Sequence, residues 1–286
     1  MIEVGPNSYG KSAIRLVKVD RSRTPHRVRD LTIAIALEGD FAASYREGDN
    51  RAVIATDTMK NTAYALAGEH LSGAIETFGL ALGRHFLDAG AEVERVRLTI
   101  DEHAWLPIGS APDAFQRDGS ATRTAGIVVG RDATEIRAGI ADLTLMKTSR
   151  SAFEGFPRDR YTTLKETADR IMATKVSASW AYDPGALDLK VRVDFDALSD
   201  AIRSTLLEVF ADHHSVSVQA SIWIMAKAIL ERHAEVTEIS LSLPNLHHWT
   251  VDLSPFGIEN DREVYISTSE PHGLIEATIR RTDRDR

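Results

Sequence analysis

The sequence predicts an α+β fold of two tandem units, each with an antiparallel sheet and two helices. Strand-like and helix-like segments follow the same order in both halves of the 286 residues: strand, strand, helix, helix, strands. A repeat supports this order, because AEVERVRLTI begins at Ala91 and AEVTEISLSL at Ala234, each just after the second helix of its half. Long alternating strands with helices inserted between them favour helices that cover one sheet face. We therefore place the units at residues 1–149 and 150–286.

In the first half, apolar residues three and four positions apart predict two consecutive helices, at 58–71 and 72–90. Alternating apolar residues predict the strands, and the loop 21–27 joins the first two as a hairpin. The predicted strands are 12–20, 31–39, 92–105, 121–132 and 135–147.

The second half repeats this pattern, with helices at 196–213 and 216–233. An additional helix, at 159–174, is predicted to lead into it. The strands predicted here are 174–183, 186–195, 235–243 and 262–269.

Composition excludes several classes of protein. Acidic residues outnumber basic ones, 42 to 34, and the formal net charge of −8 does not favour polyanion binding. The absence of cysteine excludes disulfides, thiolate catalysis and cysteine-bound metals. No apolar run approaches the roughly 18 residues of a membrane span, and residues 1–20 lack the apolar core of a signal peptide. We expect a cytoplasmic protein.

The stretch GPNSYGKS, at residues 5–12, matches the spacing of a nucleotide phosphate-binding loop. Such a loop needs a buried strand before the glycines and a helix directly after the lysine and serine. Only four residues precede Gly5, and AIRLVKV after Ser12 is strand-like. The context therefore argues against a nucleotide site and leaves the role of Lys11 open.

Other polar residues allow ordinary structural interpretations. Thr56, Asp57 and Thr58 stand where a strand gives way to a helix, so a helix cap is the simplest role. Arg170 could pair with Glu166 on the surface of the predicted helix. The adjacent pairs His213–His214 and His247–His248 leave a zinc site open, although no known ligand spacing supports one.

A resemblance to a known family favours functional roles for these residues over the structural ones. ATDTMKNT from Ala55 resembles the strand-to-helix signature of the urate oxidase (uricase) family. The other matching segments are YGK at residues 9–11, LEGDFAASYREGDN from Leu37, FEGFPRDRYTTLKETADRIMAT from Phe153, SVSVQASIWIMA from Ser215 and SLPNLHHW from Ser242. The resemblance covers nearly the whole chain, up to GLIEATI at Gly273.

The resemblance implies a tunnelling fold (T-fold), a barrel-like homotetramer, and oxidation of urate by O2 to 5-hydroxyisourate and hydrogen peroxide without metal or organic cofactor. It also implies active sites shared between subunits. A catalytic proton relay is implied for Lys11, Thr56 and His247. Substrate contacts are implied for Thr56, Asp57, Phe153, Arg170, Val218, Gln219 and Asn245, the last holding oxygen or a water above the ring.

Two departures from the family pattern flank the proposed histidine, Leu246 and Trp249, so the oxygen side of the site could differ. The end TDRDR lacks the Ser-Lys-Leu peroxisomal address, which agrees with a bacterial-type enzyme. Two alternatives remain. One is a relative with the same fold acting on a pterin or another purine, and the other is a binding protein without chemistry.

Overall fold

The computed structural model describes residues 2–183 and 193–282. They form two compact units, which we describe separately. Unit 1 is drawn from Met1–Ala141 and Ala181–Ser199, and unit 2 from Asp142–Trp180 and Asp200–Arg286. The boundary predicted between residues 149 and 150 separates the two halves of the sequence repeat, and it stays a prediction. A strand was predicted at residues 186–195. Residues 186–192 of it lie outside the described residues, and Phe195, at its end, begins a helix instead.

Unit 1 is an antiparallel sheet in which strands adjacent in sequence are also adjacent in space. Its strands are β1 (Ser8–Asp20), β2 (Arg27–Gly39), β3 (Val93–Pro107), β4 (Phe115–Gly130) and β5 (Thr134–Lys147), the end of which belongs to unit 2. Its helices are α1 (Ala42–Arg46), α2 (Thr56–His70) and α3 (Ile75–Ala89). The two long helices and the five strands confirm the predictions, whereas α1 was not predicted.

The core of unit 1 lies between α3 and the sheet. Alternate residues of β2 and β3 are buried, which gives the sheet one apolar face. Two helix glycines allow α3 to approach that face closely. A Cβ at Gly79 would lie 2.6 Å from a side-chain carbon of Ile127, and one at Gly83 would lie 2.6 Å from a side-chain carbon of Val129.

Unit 2 contains strands in the order β6 (Met172–Tyr182), β7 (Val236–Thr250) and β8 (Tyr265–Arg280), with β7 and β8 antiparallel. Its helices are α4 (Phe195–Asp212), from Asp200 onward, and α5 (Val218–Arg232), which packs against β7 and β8. The repeat is confirmed at one point. Val93 and Val236, two residues into the repeated segments, are both fully buried and each begins a strand.

The prediction of a helix at residues 159–174 is wrong. The segment is irregular up to Ile171, and β6 begins at Met172. Its backbone has other partners, because Phe153 and Thr167 exchange two backbone hydrogen bonds of 2.8 and 3.2 Å. The Asp159 side chain accepts bonds from the Tyr161 amide and the Thr162 hydroxyl. Short polar side chains that bond nearby backbone in this way compete with a helix.

In the described part of the chain, none of the helices combines the length and hydrophobicity required to cross a bilayer.

Candidate active site

A cleft of about 840 Å³ in unit 2 collects most of the predicted substrate-binding residues. Its walls come from the irregular segment before β6, the start of α5, and β7. The predicted residues that line it are Phe153, Arg170, Val218, Gln219, Asn245 and His247. The remaining three, Lys11, Thr56 and Asp57, belong to unit 1.

Arg170 presents an unpaired cation to this cleft. Burial lowers the pKa of its guanidinium from the ordinary value. Its Nε is buried without a hydrogen-bond partner, and no carboxylate among residues 2–183 and 193–282 forms an ion pair with it. The proposed pairing with Glu166 is wrong, because that side chain accepts a hydrogen bond from the Gly155 amide at 3.0 Å. A planar cation held in this way is suited to bind adjacent acceptor atoms of an anion.

Phe153 lies beside this cation. The Arg170 Cζ is 5.5 Å from the centroid of the Phe153 ring. Phe156 stacks against the same ring, with centroids 5.0 Å apart and planes 12° from parallel. Phe153 is only half-buried, so it is not a core residue. An aromatic ring of fixed orientation beside a guanidinium suits a flat, anionic heterocycle.

The start of α5 contributes two predicted contacts. Ser217 is the N-cap, and its side chain accepts a hydrogen bond from the Ala220 amide at 3.1 Å. Val218 is the first helical residue, so its amide belongs to the group at a helix start that lacks partners within the helix. Gln219 follows with an exposed side chain, which carries both donors and an acceptor.

Asn245 and His247 lie on β7 beside an irregularity in its pairing with β8. Asn245 pairs with Gly273 and His247 with Thr268, so the register shifts between them. Such bulges redirect side chains, and here the Asn245 Nδ2 lies 3.5 Å from the His247 Nδ1. Asn245 thus lies within a strand and not in a turn, although it directly follows a proline.

The environment of His247 favours its neutral form. Burial lowers the pKa of its imidazole, and the charges of Arg170, His272 and His248 lower it further. Trp249 stacks on the imidazole, with centroids 5.2 Å apart and planes 26° from parallel. A neutral imidazole has one donor and one acceptor nitrogen and can pass protons in either direction.

In unit 1, Lys11 lies within β1, and Thr56 and Asp57 begin α2. The pairing of β1 with β2 shifts between Lys11 and Ile14, and Ala13 has a φ of 55°. Lys11 thus lies beside a bulge, as His247 does. The pKa of Asp57 is lowered first by the hydrogen bond and charge of Lys60, then by a hydrogen bond from Asn61, and last by the charge of Lys11.

The cap interpretation of Thr56 is wrong. The N-cap of α2 is Ala55, which provides no side-chain hydrogen bond. The Thr56 hydroxyl has no hydrogen-bond partner within the described ranges, so it is available to a ligand or a water. The uncapped amides of the first turn attract anions.

The nucleotide interpretation of GPNSYGKS fails, as the sequence context indicated. YGK is part of β1 rather than lying before it, and the strand continues for nine residues beyond Lys11, to Asp20. No helix follows whose N-terminus could hold phosphate.

The zinc alternative finds no support in the described segments, where no three potential ligands converge. His213 has both ring nitrogens engaged, Nδ1 with the Val209 carbonyl at 2.6 Å and Nε2 with the Ser221 hydroxyl at 2.8 Å. It is therefore committed to contacts within the chain.

Lys165, Glu166 and Thr250 are among the cleft-lining residues that were not singled out from the sequence as substrate contacts. Lys165 lies inside the matched segment RDRYTTLKETADRIMAT, which was the available signal. It adds a second basic residue to the cleft wall beside Arg170. Its side chain was overlooked because surface lysines are common and its spacing from Arg170 indicates no particular chemistry.

The fold and the cleft together define a class of protein: an α+β protein of antiparallel strands and helices, with a site suited to a small flat anion. The uricase family model matches residues 7–128 and 136–276. The chain is 45% identical to uricase of Arthrobacter globiformis over 98% of this chain and 90% of that protein. It is 37% identical to uricase of Dictyostelium discoideum over 96% of each. The crystal structure of the Arthrobacter globiformis uricase superposes with a TM-score of 0.93, at 44% identity, covering 100% of this chain and 97% of the other. The chain belongs to the uricase family.

Proposed function

We propose that this protein is a urate oxidase that converts urate, O2 and water to 5-hydroxyisourate and hydrogen peroxide. The observation that supports this most is the unpaired Arg170 guanidinium beside Phe153 in a cleft that also contains Gln219. Urate is a flat anion whose adjacent oxygen and nitrogen atoms suit a guanidinium fork. The Gln219 amide and the Val218 N–H complement the other edge of such a ring.

In this proposal Lys11, Thr56 and His247 move the protons. Lys11 accepts a proton from urate, and the Thr56 hydroxyl, both donor and acceptor, passes it on. His247 exchanges protons with the peroxide or the water, and Asn245 holds oxygen above the ring. The low pKa of the neighbouring His247 keeps an acceptor nitrogen available at neutral pH. The chemistry needs no metal or organic cofactor, because the substrate itself supplies the electrons to O2.

We also propose a homotetramer in which each site takes Lys11, Thr56 and Asp57 from one subunit and the cleft residues of unit 2 from another. Two inactive variants then complement each other. Lys11→Met mixed with Arg170→Met under conditions that reassemble subunits restores part of the activity, since some sites contain neither substitution. If mixing restores nothing while both variants assemble, the sites are not shared.

The decisive test is turnover by protein treated with a chelator and freed of metal. We expect loss of the urate absorbance, consumption of O2, and one peroxide formed per urate, with Arg170→Met as the negative control. Absence of aerobic turnover would overturn the proposal. Hydrolysis of a pterin or another purine, dependent on an added metal ion, would favour the alternative of a relative with the same fold.

A further inference from the structure

A chain of buried hydrogen bonds lies behind the cleft, formed by His213, Ser221 and Ser215. Ser215 and Ser221 are fully buried, and their hydroxyl oxygens are 2.8 Å apart. The Ser221 oxygen lies 2.8 Å from the His213 Nε2, and the His213 Nδ1 lies 2.6 Å from the Val209 carbonyl oxygen. None of these groups has a role in the proposed chemistry.

Which group donates in each of these hydrogen bonds follows from the last acceptor, the Val209 carbonyl. A carbonyl oxygen can only accept, so the His213 Nδ1 carries a proton and donates to Val209. Burial, together with the charges of Lys147, Arg150 and His214, lowers the pKa of His213, so its Nε2 is an acceptor at neutral pH. The Ser221 hydroxyl therefore donates to Nε2. The Ser215 hydroxyl has two acceptors within reach, the Ser221 oxygen at 2.8 Å and the Ser217 carbonyl at 3.1 Å, and both belong to the start of α5.

Ser215 also joins the two walls of the cleft through its backbone. Its N–H donates to the Arg150 carbonyl at 2.9 Å, and its carbonyl accepts from the Ala152 N–H at 2.6 Å. The Ser151 carbonyl, within the same segment, accepts from the Arg170 N–H at 2.7 Å. Ser215 thus anchors the segment that leads into Phe153 and that fixes the backbone of Arg170.

On the other wall, Ser221 lies one turn into α5. Its amide donates to the Ser217 carbonyl at 3.1 Å, the bond that closes the first turn of the helix around Val218 and Gln219. Ser215 therefore links the two walls, because its backbone bonds the Arg150–Ala152 segment and its hydroxyl bonds Ser221 of α5.

We infer that His213, Ser221 and Ser215 are positioning residues that set the spacing between the Arg170 wall and the Val218–Gln219 wall. The inference rests on the proposed function, because urate is the ligand that would contact both walls. A site that must hold a ligand between two rigid edges depends on such supporting bonds, since small displacements weaken contacts at both edges at once.

The test compares Ser221→Ala with Thr205→Ala. Thr205 is a matched control, because its buried hydroxyl also bonds a histidine of unit 2, at 3.1 Å from the His233 Nε2. Urate affinity is measured calorimetrically without O2, and thermal unfolding is recorded for each variant. We expect Ser221→Ala to raise the Kd for urate about tenfold. The control changes the Kd less than about twofold, with a comparable loss of stability.

Two further results are expected. Because the chain acts as a unit, adding Ser215→Ala to Ser221→Ala raises the Kd little beyond the single variant. In steady state, KM for urate rises in Ser221→Ala while kcat stays within about twofold, as for an effect on binding.

Equal losses of affinity in Ser221→Ala and Thr205→Ala would overturn the inference, as would unchanged affinity in Ser221→Ala. A direct check is the ¹⁵N spectrum of His213 in the unmodified protein, where we expect the neutral Nδ1–H tautomer. The Nε2–H tautomer or an imidazolium at neutral pH would refute the direction of the chain. Absence of urate binding by the unmodified protein would instead refute the proposed function and leave the tautomer result standing.

Discussion

Replacing Arg170 by methionine should weaken urate binding without weakening the fold. The guanidinium is partly buried, its Nε has no partner, and burial lowers its pKa. Each charge-assisted hydrogen bond contributes about 1.5–3 kcal/mol, so loss of a bidentate grip costs about 3 kcal/mol or more. We therefore expect the Kd for urate to rise by about two orders of magnitude or more.

The same substitution should not lower the stability of the protein without urate. An unpaired buried charge is unfavourable, and methionine retains most of the apolar stem. We expect the free energy of unfolding to stay constant or to rise by up to about 1 kcal/mol, because the remaining exposure of the guanidinium limits the gain. Urea unfolding and anaerobic urate titration measure the two quantities.

Arg281→Met is the matched control. The Arg281 guanidinium donates to the Val236 carbonyl at 3.0 Å and to the Leu230 carbonyl, near the C-terminal end of α5. Its replacement should lower stability and leave urate affinity intact. If Arg170→Met loses as much stability as Arg281→Met and still binds urate normally, Arg170 serves the fold and not urate binding.

Three other predictions follow from the same structure. Lys11→Met should lower kcat at least about a hundredfold with KM changed little, as expected for a general base; a pure KM effect in steady-state kinetics would reassign Lys11 to binding. Gly83→Ala should destabilise unit 1 by about 1–3 kcal/mol, because a Cβ there meets a β4 side chain at 2.6 Å. The control Gly68→Ala, which meets nothing within 4 Å, should stabilise α2 by about 0.5–1 kcal/mol; equal effects of the two in urea unfolding would contradict this packing. Because folding lowers the pKa of His213 and His247 from 6.5, the unfolded chain binds more protons below that pH. Stability should therefore fall as the pH drops below about 6.5, and substitution of both histidines by glutamine should reduce this slope in unfolding measured between neutral and mildly acid pH.

Periodicity was sufficient to predict most of the fold. The long helices α2, α3, α4 and α5 each bury one face, so their apolar spacing is visible in the sequence. The strands of unit 1 alternate for the same reason. The short helix α1 buries no residue, which leaves no periodic signal to detect.

The segment before β6 shows where periodicity misleads. Residues 159–174 contain helix-compatible spacing, yet Thr167 pairs with Phe153, fourteen residues earlier in the chain. Pairing of this kind is decided by tertiary contacts, which no local pattern of apolar residues records. The bulges beside Lys11 and His247 were missed for a similar reason, since a bulge changes the pairing of two strands rather than the composition of either.

The candidate site was only partly accessible from residue types. The cleft residues Phe153, Arg170, Gln219 and His247 come from four separate segments, and no spacing between them predicts that they meet. Taken singly, Arg170 is an ordinary surface arginine and Phe153 an ordinary core residue. The family resemblance selected them, and the fold brings them to one cleft. The supporting chain of His213, Ser221 and Ser215 had no such signal, because serine is usually exposed and the sequence does not show that these two hydroxyls are buried against each other.

The most direct test of the central claim is a crystal structure of the protein with urate bound in the absence of O2. We predict urate in the cleft of unit 2, stacked on Phe153, with the Arg170 guanidinium at one edge and the Gln219 amide at the opposite edge. Urate bound at another place, or in this cleft without contact to Arg170, would contradict the account.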